Sequence, residues 1–218
     1  MDFTLETSDY ILLKEANYDE WGTIRLGMGI SKMAVLGAGQ MGNGITQVAA
    51  CAGIEVVMID IKQEFVDNGI ATIEKSLAKL VSKERMSQED ADSARAKIST
   101  STDRSVCSDV DLVVEAVPEI LDLKISIFSE LDSICKPDCI LASNTSSISI
   151  STIADSTSRP DKVIGMHFMN PVPIMKLVEV IRAKSTSDDT FDTTFKLAED
   201  LHKVPVLVND FPGFVSNR

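Results

Sequence analysis

The sequence predicts an α/β fold built on a doubly wound, mostly parallel sheet, with a helical hairpin inserted into one crossover. Three observations predict it. A short apolar strand runs straight into a glycine-spaced turn at residue 37. The later apolar runs are short and separated by helical stretches, the pattern of buried parallel strands. Residues 62–97 then hold two helical periods where a simple crossover needs one.

In chain order, residues 1–31 stand apart, with six acidic and two basic residues, the only tryptophan (Trp21), and Gly27-Met-Gly29 just before the first strand. They read as an N-terminal leader of unknown role, its acidity being the reverse of an Arg-rich presequence. The strand Met33-Ala-Val-Leu36 then enters Gly37-x-Gly39-x-x-Gly42. Gly37 permits the tight turn, Gly39 lets the backbone approach a pyrophosphate, and Gly42 lets the helix pack closely on the sheet with its N-terminus facing the phosphates. Gln40 and Met41 lie between these glycines and belong to the same cofactor-binding loop. Ile45 to Ala52 reads as a small-residue helix, Gly53 as its stop, and Glu55-Val-Val-Met-Ile59 as the next strand, ending at Asp60. An acidic residue about 20 positions after such glycines accepts hydrogen bonds from the adenosine ribose and repels a 2′-phosphate, so NAD is favoured over NADP. The bland alternative, glycines that only punctuate a turn and an Asp60 that only caps a helix, would have to produce all four features together. The pattern is Rossmann-type.

Residues 62–97 read as helices from Lys62 to about Lys83 and from Gln88 to about Lys97, parted at Arg85-Met-Ser87, where Ser87 suits a helix start. Asp111 to Val117, Cys139 to Ser143 and Lys162 to Phe168 read as further buried strands, completing a cofactor domain over residues 32–210. Cys51, Cys107, Cys135 and Cys139 have no histidine nearby to complete a zinc-like cluster and are read as reduced and mostly buried, with Cys51 and Cys139 as small hydrophobes. A Cys135–Cys139 disulfide would be unusual in a reducing compartment. The net charge of −12, from 33 acidic and 21 basic residues, offers no general attraction to nucleic acid or to an anionic membrane. No run reaches the roughly 18 to 20 apolar residues of a membrane span. The expectation is a cytoplasmic protein, with the mitochondrial matrix as the alternative.

Three further segments single out one family: Ser143-Asn-Thr-Ser-Ser147, His167-Phe-Met-Asn-Pro-Val-Pro-Ile-Met-Lys-Leu-Val-Glu179, and Phe211-Pro-Gly-Phe-Val-Ser-Asn-Arg218. With the glycine turn, and in one register from about Lys32 to Arg218, the chain resembles the L-3-hydroxyacyl-CoA dehydrogenases, including the 3-hydroxybutyryl-CoA dehydrogenases. The resemblance implies NAD-dependent oxidation of the 3-hydroxyl of an acyl-CoA, in β-oxidation or, reversed, in butyrate-type synthesis.

Removing a hydride from a secondary alcohol requires a base beside the hydroxyl, and imidazole is the natural candidate at neutral pH. Only His167 and His202 exist here. His167 lies at the carboxyl end of a strand, where open α/β sheets place their ligands, whereas His202 ends an amphipathic helix. A lone histidine on an apolar strand is more often a satisfied core residue, and the family match is what raises His167 to catalytic base. By the same match Glu179 orients His167, on the strand face of Leu177 and Ile181 where a carboxylate needs a partner. The resemblance further implies that Ser146 hydrogen-bonds the reacting oxygen and that Asn217 helps hold the substrate carbonyl. Ala116, Glu119, Lys124 and Asn144 would serve the cofactor, while Ser76, Lys83 and Asn170 would serve the acyl-CoA. From residues alone, Ser146 could instead cap a helix near Ile148 to Ala154, Glu119 and Lys124 could be ordinary surface charges, and the lysines near Ser76 a solvated face.

Family members continue past the Asn-Arg pair with about a hundred residues forming a helical, dimerising domain, so residues 211–218 read as its truncated start. The complete fold would be a homodimer, whose interface this chain as given would lack. Two other readings stay open on the sequence: a non-catalytic NAD-binding module or truncated subunit, and a dehydrogenase of a sugar acid or small hydroxy acid on the same fold.

Overall fold

Strand β1 (Lys32–Leu36) lies inside the sheet, third from one edge, and helices cover both faces, those within residues 40–96 and 188–200 on one face and those within 121–154 on the other. In chain order come α1 (Gln40–Cys51), β2 (Glu55–Ile59), α2 (Gln63–Ser82), α3 (Gln88–Ala96), β3 (Ile98–Ser101), β4 (Leu112–Glu115) and α4 (Leu121–Ile134). They are followed by β5 (Ile140–Ser143), α5 (Ile150–Ala154), β6 (Val163–Phe168), β7 (Leu177–Arg182), α6 (Asp188–Asp200) and β8 (Val204–Asn209). This computed structural model describes residues 29–210, together with the backbone of a two-residue ladder pairing Asn17–Tyr18 with Ile24–Arg25. The rest of the leader and residues 211–218, Asn217 included, lie outside the described residues.

The sheet has eight strands in the order β8-β7-β6-β5-β4-β1-β2-β3. Every neighbouring pair is parallel except β6 and β7, which are antiparallel. The chain therefore reverses direction around β1, between β2 and β4, and leaves a crevice at the carboxyl ends of these strands, the usual ligand position in such sheets. Alternation along β1 divides the core: Met33 and Val35 face a cluster with α1 and α2, whereas Ala34 and Leu36 face one with Phe128 and Leu131 of α4.

The helical hairpin is observed as α2 and α3, within a residue of the expected bounds, and Ser87 caps α3 by accepting the Asp90 N–H at 2.9 Å. Helix α1, however, begins at Gln40 rather than near Ile45. Glycine inside a helix costs about 1 kcal/mol relative to alanine, so Gly42 and Gly44 argue locally against helix. Tertiary packing reverses this. A Cβ on Gly42 would lie 1.6 Å from the Gly37 carbonyl oxygen, and one on Gly44 would lie 2.8 Å from Cβ of Val172. Strands β3 and β8, which the apolar pattern does not delineate, are the two edges. Ile98 is the only apolar residue of β3, and β8 leaves Val204, Val206 and Leu207 exposed. Strand β4 stops at Glu115, two residues before the expected Val117, because the Val117 N–H turns to the Glu115 carboxylate at 2.8 Å. All four cysteines are free, with Cys107, Cys135 and Cys139 buried; Cys51, expected as a packed small hydrophobe, is exposed at the last turn of α1. Among the described residues no helix is long and apolar enough to cross a membrane.

At the amino ends of interior strands β1, β4 and β5, Asp111 ties three strand starts together. Its carboxylate accepts the Ser31 N–H at 2.9 Å, the Ser31 hydroxyl at 2.9 Å and the Lys32 N–H at 3.0 Å, and pairs with Lys136. Burial by itself would raise this carboxyl, but the hydrogen bonds from Lys136, Lys32 and Ser31 outweigh it and pull the pKa down to about 2. A depressed folded-state pKa gives stability that is fully present above the unfolded value and lost as pH falls through the folded one. Asp111→Asn should therefore lower the urea midpoint at pH 7, and its gap to the parent should shrink as pH falls from about 4 through about 2. A gap independent of pH would refute the assignment.

Candidate active site

The glycine turn after β1 is tied at its start to the chain on both sides. Gly37 N–H donates to the Ile59 carbonyl at 2.7 Å, and Ala116 N–H to the Leu36 carbonyl at 2.8 Å. Gly37 has φ +100°, and a Cβ there would meet the Ala116 carbonyl oxygen at 2.6 Å, so glycine is required on both counts. A Cβ on Gly39 would have nothing within 4 Å, because that side of the turn opens into a cleft of about 880 Å3. Gly37, Gly39, Gln40, Met41, Asp60 and Ala116 line it. Helix α1 starts there with no capping side chain and no acidic residue in its first turn, so its leading N–H groups and positive dipole end are available to an anion. The Asp60 carboxylate accepts the Ala38 N–H and the Ile61 N–H, each at 2.7 Å, which braces the turn and leaves further lone pairs for ribose hydroxyls. Beyond it, the exposed Ile61 and Phe65 offer an apolar end wall. This cradle fits a dinucleotide.

Farther along the same edge, β6 and β7 run antiparallel with His167 directly opposite Glu179. Cross-strand partners in such a pair have Cβ atoms about 5 Å apart, so the register delivers the contact. Nδ1 of His167 is 2.7 Å from Glu179 Oε2, with the two side chains 11% and 2% exposed. On neighbouring β5, Ser143 is followed by Asn144, whose side-chain oxygen accepts the Phe168 N–H at 2.9 Å and locks the two strand ends together. The half-buried Ser146 lies in the next turn. Glu119 holds that turn, accepting from the Thr145 hydroxyl, from the N–H groups of Ser146 and Ser147 at 3.0 and 3.1 Å, and from the Ser147 hydroxyl at 3.1 Å. Burial opposes the charge on Glu119, yet these hydrogen bonds and the Lys124 ammonium hold its carboxyl below the usual range. Lys124 is itself buried, bonded to Glu115 at 2.6 Å and 3.3 Å from Glu119. Asn170 is exposed on the loop between β6 and β7, after which the Asn170–Pro171 peptide is cis. Ser76 is half-buried on α2 and Lys83 exposed at its C-cap.

Residues 32–211 match the family model described as 3-hydroxyacyl-CoA dehydrogenase, NAD binding domain. The chain belongs to the 3-hydroxyacyl-CoA dehydrogenase family. Over that segment it is the NAD-binding domain of an NAD-dependent dehydrogenase. It is 52% identical over 187 residues to a probable 3-hydroxybutyryl-CoA dehydrogenase of Deinococcus radiodurans, covering 86% of this chain and 67% of that one. A 3-hydroxybutyryl-CoA dehydrogenase of Clostridioides difficile is 48% identical, with 86% and 66% covered. The crystal structure of (S)-3-hydroxybutyryl-CoA dehydrogenase from Ralstonia eutropha superimposes with a TM-score of 0.85 at 47% identity, covering 87% of this chain and 67% of that one. The chain thus spans about two thirds of the length of these relatives.

In this dehydrogenase domain three site-shaping residues escape a reading by motif. Glu115, fully buried, accepts from Lys124, from the Val117 N–H and from the Ser143 hydroxyl at 2.7 Å, joining the end of β4 to the end of β5. A carboxylate closing the apolar run Leu112–Glu115 was the available signal. Thr145 and Asp210 had none, since each acts across a fold contact. Asp210 caps α5 by accepting the N–H groups of Ile150 and Ser151 at 2.9 and 2.8 Å. Removing one partner of a buried ion pair strands the other charge at a cost of about 3–5 kcal/mol. Lys124→Met should accordingly lower the stability read by urea unfolding by that amount, and adding Glu115→Gln should recover part of it. A midpoint unchanged by Lys124→Met would refute the buried pair as a source of stability.

Proposed function

We propose that this domain carries the NAD-dependent, reversible oxidation of the 3-hydroxyl of an (S)-3-hydroxyacyl-CoA to the 3-oxoacyl-CoA, as in fatty-acid β-oxidation or butyrate-type metabolism. The observation that carries the reading is the 2.7 Å contact of His167 with Glu179, on the same strand-end edge as the glycine turn. The relatives named as 3-hydroxybutyryl-CoA dehydrogenases support the substrate class.

Bound in the cleft, NAD would supply the hydride acceptor. Glu179 holds the His167 ring by Nδ1, so the neutral tautomer carries its lone pair on Nε2, the atom that takes the hydroxyl proton. As the imidazolium forms, the adjacent carboxylate stabilises it. Ser146 and Asn217 supply neutral donors to the oxygen on which charge develops. Asn144 keeps its amide NH2 for the ribose on the nicotinamide side, its oxygen being committed to Phe168. Asp60 and the α1 N-terminus take the adenosine ribose and pyrophosphate, with Ala116, Glu119 and Lys124 forming and supporting the floor between them and Ser146. Asn170 lies on the acyl side, and Ser76 and Lys83 would meet the CoA.

The test is NADH oxidation with acetoacetyl-CoA, followed by near-ultraviolet absorbance, beside an NADH-binding titration. Turnover is the expected result. NADH binding without turnover would confine the chain to cofactor binding, and equal turnover of a small oxo acid lacking CoA would overturn the acyl-CoA assignment.

A further inference from the structure

The sheet reverses direction between β6 and β7 through residues 169–176, the loop that carries Asn170 and connects His167 to Glu179. Two contacts with elements outside the loop hold it. The first is apolar: Val172, 2% exposed, packs on α1 where a Cβ on Gly44 would meet its Cβ at 2.8 Å.

The second is Lys203. Helix α6 ends in a left-handed residue, His202, with φ 58°. His202 N–H donates to the Glu199 carbonyl at 2.8 Å and Lys203 N–H to the Ala198 carbonyl at 3.0 Å, the paired bonds of a Schellman cap. The cap turns the chain inward, and Lys203 becomes 8% exposed. Its Nζ donates to the Val172 carbonyl at 2.5 Å and to the Met175 carbonyl at 2.9 Å. Burial pushes this amine below the ordinary lysine range, and Lys176 adds to the effect. A buried amine whose partners among the described residues are two carbonyls is an expensive way to fill space, since an apolar side chain of the same length would do so without desolvating a charge. What the amine adds is a bond to each end of one four-residue turn, Val172 to Met175, in the loop beside the catalytic pair.

We propose that Lys203 is a positioning residue for the acyl-CoA reaction, clasping loop 169–176 through the Val172 and Met175 carbonyls so that Asn170 is presented to the substrate. Lys203 touches neither substrate nor cofactor in this role, which rests on the proposed function. The test compares Lys203→Met, similar in length but without a donor, with Lys203→Arg, which restores donors. Three quantities are read: kcat and KM for acetoacetyl-CoA, the NADH Kd, and amide hydrogen exchange in residues 169–176. In Lys203→Met the acetoacetyl-CoA KM should rise about tenfold, exchange in the loop should quicken, and the NADH Kd should stay within about twofold; Lys203→Arg should regain most of the lost KM. Parallel weakening of NADH and acetoacetyl-CoA would show a general structural role and overturn the proposal, as would an unchanged KM with unchanged exchange. If Lys203→Met does not fold, Lys203→Gln takes its place with the same expected signs. If the parent protein turns over no acyl-CoA, the functional reading fails, and loop exchange that is identical in parent and variant separately refutes the clasp.

Discussion

In His167→Gln, turnover of acetoacetyl-CoA is expected to fall by about 10²–10⁴-fold, the usual contribution of a positioned general acid–base group. The NADH Kd should stay within about twofold, because His167 is on β6 while the glycine turn, Asp60 and the α1 N-terminus are built from β1, β2 and α1. Glutamine keeps most of the ring's volume and can still donate to the Glu179 carboxylate, so the 2% exposed acid is not left without a donor. The loss should therefore appear in kcat and not in the melting temperature. Glu179→Gln probes the other partner. An amide can donate to Nδ1 and so favour the tautomer with its proton on Nε2, the wrong one for a base. Its loss should also fall mainly on kcat. Retention of more than about a tenth of parent activity by His167→Gln would remove His167 from the role of base.

The second large effect concerns the glycine turn, where two alanine substitutions of equal size should give different phenotypes. Gly42→Ala places a methyl 1.6 Å from the Gly37 carbonyl oxygen, and both atoms belong to backbone that the sheet and α1 hold rigidly. Overpacking into side chains costs about 1–3 kcal/mol, and a clash with fixed backbone should reach or exceed the top of that range. Gly42→Ala should thus unfold at markedly lower urea and purify poorly. Gly39→Ala meets nothing within 4 Å, so its unfolding midpoint should match the parent. Its methyl projects into the space through which a pyrophosphate would approach, and NADH affinity should drop about tenfold or more. Equal stability of both variants would sink the packing account of Gly42. Unchanged NADH affinity in Gly39→Ala would move the cofactor off this turn.

Legibility in the sequence followed the range of the physical cause. The glycine turn, Asp60 at the end of β2, and the Ser87 start of α3 depend on contacts within a few residues or on a fixed motif spacing, and each stands where the pattern put it. Strands β4, β5 and β6 are covered on both faces, so their apolar runs were visible without a partner. Edge strands β3 and β8 gave no such signal, being half-covered and set by pairing with β2 and β7. The early start of α1 was hidden for the opposite reason: local propensity argued against it, and contacts with Gly37 and Val172 overrode it.

The sequence by itself determined the doubly wound class and the cofactor turn with its preference for NAD, because backbone permissiveness, strand periodicity and charge are properties of residue types, whereas His167 and Glu179 became candidates only through the family resemblance. Only the tertiary structure decided that β7 runs antiparallel to β6, and it is this reversal that sets Glu179 opposite His167 in register. It also decided that Glu115 and Lys124 form a buried pair behind Glu119, and that Lys203 turns inward to the 169–176 loop. Each of these joins residues on different elements, and a buried charge reveals its partner only once the fold has removed water from both.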